Sequence, residues 1–174
     1  MISDLKNKNR VLIFLVCFFI LSAIVGYAST LEISSSEAQS LSQSVYAIKP
    51  TTADIFENNV QIALLEFIPI FGPAYGAYAS YSTGLAIVAL AQSNSGSGLS
   101  GLDLFLILLI TPIFWIEFTC YSLAVEEGVA FIISLKNRDF RKSEWKWLIG
   151  SIIFVVATLF VSAGLEVDLI NLIK

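Results

Sequence analysis

The chain has 174 residues, 56% of them hydrophobic and 14% charged, with 10 basic and 14 acidic residues giving a net charge of −4. Its mean hydropathy is +0.80. Soluble domains are about 25% charged, so a water-soluble globular class is excluded; a net negative chain without a basic stripe does not support nucleic-acid binding either. There is no histidine and there are two cysteines, which removes a serine–histidine catalytic pair and the usual transition-metal sites. Neither a metal nor a cofactor is expected, and the isolated cysteines Cys17 and Cys120 read as small apolar packing residues.

The first apolar run covers residues 11–29 and follows the basic residues Lys6, Lys8 and Arg10. It reads as a retained transmembrane helix, long enough for a hydrocarbon core of about 30 Å. A cleavable signal peptide is the alternative, because "GYA" before Ser29 supplies the small residues that a signal peptidase requires. Residues 31–52 are serine-rich and polar and read as an external loop. Leu31, Ile33, Leu41, Val45 and Ile48 give part of it the pattern of an irregular amphipathic helix on the membrane surface.

Residues 55–92 are apolar but are interrupted by Pro69, Gly72, Pro73 and Gly76. Proline removes a backbone donor and clashes with the preceding turn. Two spans, 55–71 and 74–92, joined by a tight turn at Gly72–Pro73, are predicted; a re-entrant pair that does not cross fully is the alternative. After the Ser/Gly loop at 92–101 comes a span at 104–134, which Pro112 is expected to break or kink unless the helix tilts and protrudes. The basic loop 136–146 follows, and a last span at 147–165 begins beside Trp145 and Trp147, placed as interfacial anchors.

The fold expected is therefore all-α, a polytopic membrane helix bundle of about five transmembrane helices, with Pro/Gly-broken or re-entrant segments around 69–76 and 112. Five spans place both basic clusters on one side, which the positive-inside rule makes cytoplasmic together with the N-terminus. The predicted location is the cell membrane, multi-pass.

Polar residues inside the apolar runs are the candidate functional groups. At 3.6 residues per turn, Asn59, Ala63 and Glu66 share one face, with Asn58 beside it; Glu117, Tyr121, Ala124 and Gly128 share another. Asn58, Asn59, Glu66 and Glu117 are read as one intramembrane polar site, since charged groups at that depth cost at least about 2.5 kcal/mol and face a bundle interior or water. The competing reading is that they are neutral and simply tie helices together. Glu126 and Glu127 lie away from the Glu117 face and are expected near the interface, paired with Lys136 or Arg138 or set among lipid headgroups. Gly76, Ser80 and Gly84 form a small-residue stripe for close helix approach, and Ala124 and Gly128 do the same in the fourth span.

Laid out this way, the pattern resembles the stage II sporulation protein M-like family of integral membrane proteins. The resemblance is carried by "FENNVQIALLEFIPIFGPAYG" at 56–76, by Pro112 with Glu117 five positions on, and by the small residues Ala124 and Gly128 that follow. Where members of that family often carry histidine and glycine after the proline, this chain has Ile113 and Phe114. The resemblance implies that Asn58, Asn59, Pro112 and Glu117 belong to the core motif and that the chain is a membrane anchor or scaffold.

The function expected first is a non-enzymatic scaffold or accessory subunit, with the lipid bilayer and other membrane proteins, or further copies of itself, as partners. Contact would be made through the small-residue stripes and the basic loop. The second is a transporter or ion-conducting subunit using Glu66 and Glu117 on an ion or small-molecule substrate. An intramembrane enzyme ranks last, because no nucleophile or metal constellation accompanies the glutamates.

Overall fold

The structure is a computed structural model that describes residues 2–46, 51–93, 98–136 and 142–172. Those residues form α-helices and connecting turns only: α1 (Ile2–Ala28), α2 (Ser35–Tyr46), α3 (Thr52–Glu66), α4 (Phe71–Ser93), α5 (Gly101–Ile110), α6 (Pro112–Lys136) and α7 (Lys142–Leu172). Among them, three segments are long and apolar enough to cross a membrane: Asn9–Ala28, Pro112–Lys136 and Glu144–Leu169. The last extends beyond the predicted 147–165 at both ends. Of the expected basic loop, residues 137–141 lie outside the described residues, as do Ile48 of the surface segment and residues 94–97 of the Ser/Gly loop.

Helix α6 is the centre of the bundle. Its apolar stretch is 56% buried, against 22% for α1 and 28% for α7, and it touches α1, α3, α4, α5 and α7. Cross-helix contacts fix the directions. Phe18 stacks on Trp115 at 5.5 Å while Arg10 reaches Glu127, so α1 runs antiparallel to α6. Ser162 bonds Glu117 and Ser151 bonds Glu127, so α7 is antiparallel to α6 as well. Helix α3 is parallel to α6, with Asn59 at Glu117 and Gly128 packed under the carbonyls of Glu66 and Phe67. Helix α4 returns beside α1, joined through Gly84, Val25 and Ala28.

The predicted break at Pro112 is present. Thr111, the residue before the proline, takes the extended conformation (φ −78°, ψ 139°), as the steric clash with a following proline ring demands. The carbonyls exposed by the break are answered locally: the Trp115 indole donates to the Leu109 oxygen at 2.9 Å, and the Thr111 amide and hydroxyl donate to the Leu108 oxygen.

The turn between α3 and α4 lies earlier than expected. It occupies residues 67–70 rather than Gly72–Pro73, and Ile70 carries its left-handed residue, at φ 70°. Gly72 and Pro73 fall in the first turn of α4. Proline is compatible there because the amide it lacks would have had no intrahelical partner. Gly72 is required for another reason: a Cβ would overlap the Glu66 carbonyl oxygen.

The surface helix α2 docks against α4, with Ala38 and Ser42 as its buried residues. Helices α2, α3 and α5 each begin with a reciprocal cap. Ser34 with Glu37, Thr51 with Asp54, and Ser100 with Asp103 exchange backbone and side-chain bonds, satisfying amides that a helix start leaves open. Glu37 is held below the usual carboxylate range by the Ser34 hydroxyl and then by the Ser34 amide. Its contribution is therefore complete above the ordinary glutamate pKa and is lost as pH falls through the lowered folded value. Hydrogen exchange at the first turn of α2 is expected to accelerate on acidification across that window, and Ser34→Ala is expected to give the acid behaviour at neutral pH.

The small-residue stripe is consumed inside the fold. A Cβ on Gly76 would meet Val125 at 3.0 Å and the Glu66 carboxyl at 3.1 Å; on Gly84 it would fall against the Ala28 Cβ and 2.7 Å from the Val25 carbonyl oxygen. Ser80 is also buried, as are Ala124 and Gly128. The stripe therefore packs α4 on α1, α3 and α6 and is not free to seat a partner. Gly84→Ala is expected to destabilise the chain by about 1–3 kcal/mol through overpacking. Gly164→Ala, with nothing within 4 Å, is expected to leave thermal unfolding in detergent undiminished or slightly raised, since alanine is the better helix former.

Candidate functional site: an acidic cavity between α3 and α4

Helices α3 and α4 diverge from their shared turn, and α6 forms the floor between them. The space left is a cavity of about 680 Å³. Asn58, Asn59, Glu66 and Glu117 all line it, together with Ser80, Thr83, Phe118 and Tyr121. Asp54 and Glu166 stand near the end of the bundle where α3 begins and α7 finishes.

The four residues singled out in the sequence do not all touch. Asn58 donates to Asn59 Oδ1 at 3.2 Å, and Asn59 donates to Glu117 Oε1 at 2.7 Å. The Ser162 hydroxyl of α7 reaches the same carboxylate oxygen at 3.2 Å. Glu66 stands apart at the deep end. It is 1% exposed, and its Oε2 has no hydrogen-bond partner. Buried polar atoms are nearly always paired, so an unpaired carboxyl oxygen on a cavity wall marks a place for a donor the chain itself does not provide. Among the described residues no group of three or more metal-ligating side chains lies close enough to hold a metal ion.

Tyr121 and Glu166 are among the lining residues that were not singled out in the sequence. Tyr121 was visible there as a neighbour on the Glu117 face. Glu166 was missed because the last span was ended at Leu165; α7 continues to Leu172. Glu166 lies four residues after Ser162 and so shares its face.

Glu126 and Glu127 belong to a second site, on the opposite side of α6. Arg138 lies outside the described residues, and among those residues their partner is not Lys136. It is Arg10 of α1: Nη2 donates to Glu127 Oε2 at 2.6 Å, and Nε stands 3.1 Å from Glu126 Oε1 as an ion pair without hydrogen-bond alignment. The Ser151 hydroxyl donates to Glu127 Oε1 at 2.8 Å, and the guanidinium lies 5.8 Å from the centre of the Trp147 ring. The sequence concealed this pairing because Arg10 reads there as one of three basic residues that set orientation. Both glutamates are 3% exposed. An apolar environment makes an isolated carboxylate costly, so the cation is brought from a helix 116 positions away in the chain, from Arg10 to Glu126.

Compared with protein families, curated proteins and solved structures, the chain matches none. Its chemistry therefore rests on the geometry above. Arg10→Leu is expected to cost about 3–5 kcal/mol by stranding two buried carboxylates. Adding Glu126→Gln and Glu127→Gln to it is expected to restore much of the lost stability in detergent unfolding.

Proposed function

We propose that the chain is a five-pass integral membrane protein whose cavity between α3 and α4 takes up a cation, a proton included, and passes it across the bilayer. The observation that carries this reading is the unpaired, buried Glu66 carboxyl oxygen in a cavity that also holds Glu117. Acidic residues in membrane segments that face a cavity are the usual elements of ion and proton routes, and helices broken within the bilayer commonly build such sites. Asn59 and Ser162 hold the Glu117 carboxylate in place, while Asp54 and Glu166 give the mouth a negative potential that concentrates cations.

The five-pass arrangement is supported by the alternating helix directions. Helices α5 and α6 together run back along α1, since Gly26 meets Phe105 and Phe18 meets Trp115. Helix α3, at 15 residues, is short for a span, yet its C-terminal carbonyls reach Gly128, one residue from the Glu127 that pairs with Arg10. Positive-inside bias puts that end, with Lys136, Lys142 and Lys146 close by in the chain, in the cytoplasm.

A second reading, an accessory subunit of a membrane complex, is favoured by one observation. Phe71, Tyr75 and Tyr78 form an aromatic ladder along α4, with ring centres 5.5 and 6.2 Å apart, and Tyr78 is 65% exposed. Such a face suits a neighbouring helix, in keeping with the scaffold role implied by the resemblance to the stage II sporulation protein M-like family. In this chain two residues of that resemblance, Asn59 and Glu117, bond each other.

Flux in vesicles loaded with a pH-sensitive dye tests the first reading, with cation gradients run in parallel. Transport by the parent protein that falls at least tenfold in Glu117→Gln and in Glu66→Gln, with folding intact, is the expected result. No flux of protons or of small inorganic cations in the parent would overturn it and favour the subunit reading. Topology is read separately from single cysteines at Ser36 and Lys146, expected to label from outside and inside respectively.

A further inference from the structure

Between α1 and α7, on the side of α6 away from the acidic cavity, lies a second cavity of about 530 Å³. Val11, Phe14, Leu123 and Phe154 give it apolar walls, and Arg10, Glu126, Glu127 and Trp147 close one end. The charged end lies where the apolar stretch of α1 begins, at Asn9, which is headgroup depth for a helix that crosses the bilayer. The walls continue from there toward the hydrocarbon core: Phe14 is one turn further along α1, and Phe154 is one turn beyond Ser151 on α7.

The charges at that end are unequal. Among the described residues one guanidinium faces these two carboxylates, with Glu144 a further acid close to Glu126, and Glu126 Oε1 receives no aligned hydrogen bond although it is almost completely buried. That oxygen needs a donor. The guanidinium carries five donors in all, more than its contacts with Glu126 and Glu127 use. The vacant chemistry is thus a cationic N–H donor beside an anion acceptor, at the mouth of an apolar slot.

We infer that this cavity is a binding site for a phospholipid with a primary-amine headgroup of the ethanolamine type, its ammonium on Glu126, its phosphate on Arg10 and an acyl chain along Phe14 and Phe154. An anionic lipid would satisfy Arg10 but would set its phosphate against two carboxylates without bringing a cation. A choline headgroup carries the charge but no N–H to donate. The inference rests on the membrane placement and not on transport through the acidic cavity.

The test uses the full chain in detergent micelles, with bound lipid counted by native mass spectrometry. The probes are dioleoylphosphatidylethanolamine, its N-methyl and N,N-dimethyl derivatives, dioleoylphosphatidylcholine and dioleoylphosphatidylglycerol. Occupancy is expected to fall along the methylation series, with the choline lipid about tenfold weaker than the ethanolamine lipid, the factor of one charge-assisted hydrogen bond. Glu126→Gln is expected to abolish the difference between those two lipids. Equal binding of the ethanolamine and choline lipids, or phosphatidylglycerol binding as tightly as phosphatidylethanolamine, would overturn the proposal. The methylation series is read on the parent chain, so the answer does not depend on the variant folding. Loss of flux with lipid discrimination intact would reject the transport reading alone.

Discussion

A carboxylate in an apolar slab has to find its partner within the protein, and α6 carries three such groups. Glu117, Glu126 and Glu127 each fix the place of another helix. Asn59 brings α3 to Glu117, Ser162 brings the far end of α7 to the same carboxylate, Arg10 brings α1 to the glutamate pair, and Ser151 ties the near end of α7 to Glu127. In lipid the hydrophobic effect gives little drive for helices to associate, and close packing and polar bonds must set their register. The glycines complete the arrangement. Gly76, Gly84 and Gly128 let backbones approach where these polar contacts require it. Helix α6 is central because it holds most of the groups that cannot face lipid.

The two sides of α6 use their carboxylates differently. Toward α1 and α7 the pair is answered by a guanidinium from the same chain, which bonds Glu127 and leaves Glu126 Oε1 without an aligned hydrogen bond. Toward α3 and α4 the groups around Glu117 are answered by amides and hydroxyls, and Glu66 is left with an open oxygen. Neutral donors orient a carboxyl group without bringing a charge to it. The same helix thus meets a cation of its own chain on one side and neutral donors on the other.

Much of this was legible in the sequence where one local rule decided the outcome. Pro112 forbids a continuous helix, and the chain breaks there. The i, i+4, i+7 spacing of Asn59, Ala63 and Glu66, and of Glu117, Tyr121 and Ala124, placed the polar residues on faces that do meet one cavity. Legibility failed where the deciding contact was remote or where two local rules competed. Nothing near Glu126 in the chain points to Arg10, which is 116 positions away. At 69–73 two prolines and a glycine offered several possible turns. The observed one falls at Ile70, a β-branched residue in a conformation usually left to glycine. Local preference would not place it there; the crossing of Gly72 over the Glu66 carbonyl does. The reciprocal caps are readable in "SSSE", "TTAD" and "SGLD" as Ser/Thr followed three residues later by an acid. How many helices cross fully depends on the bilayer as well as the chain, and three are long and apolar enough by their own composition.

The two interruptions of the helical chain differ mechanically. At Thr111 the carbonyls freed by Pro112 are tied back by the Trp115 indole and by Thr111 itself, and the neighbouring Ile110 is 84% exposed. A lipid-facing break is tolerated only when its backbone groups are satisfied internally, and a joint closed by its own side chains behaves as a weld: α5 and α6 are held at one angle. The turn at 67–70 is held by short backbone bonds, Phe71 to Pro69 and Gly72 to Ile68, and by Phe67, whose ring is buried in the core with Ala63 and Cys120, while Ile70 is 78% exposed. That corner is thus anchored from inside the core, and because Glu66 directly precedes Phe67, the same anchor holds the deepest carboxyl group of the acidic cavity in place.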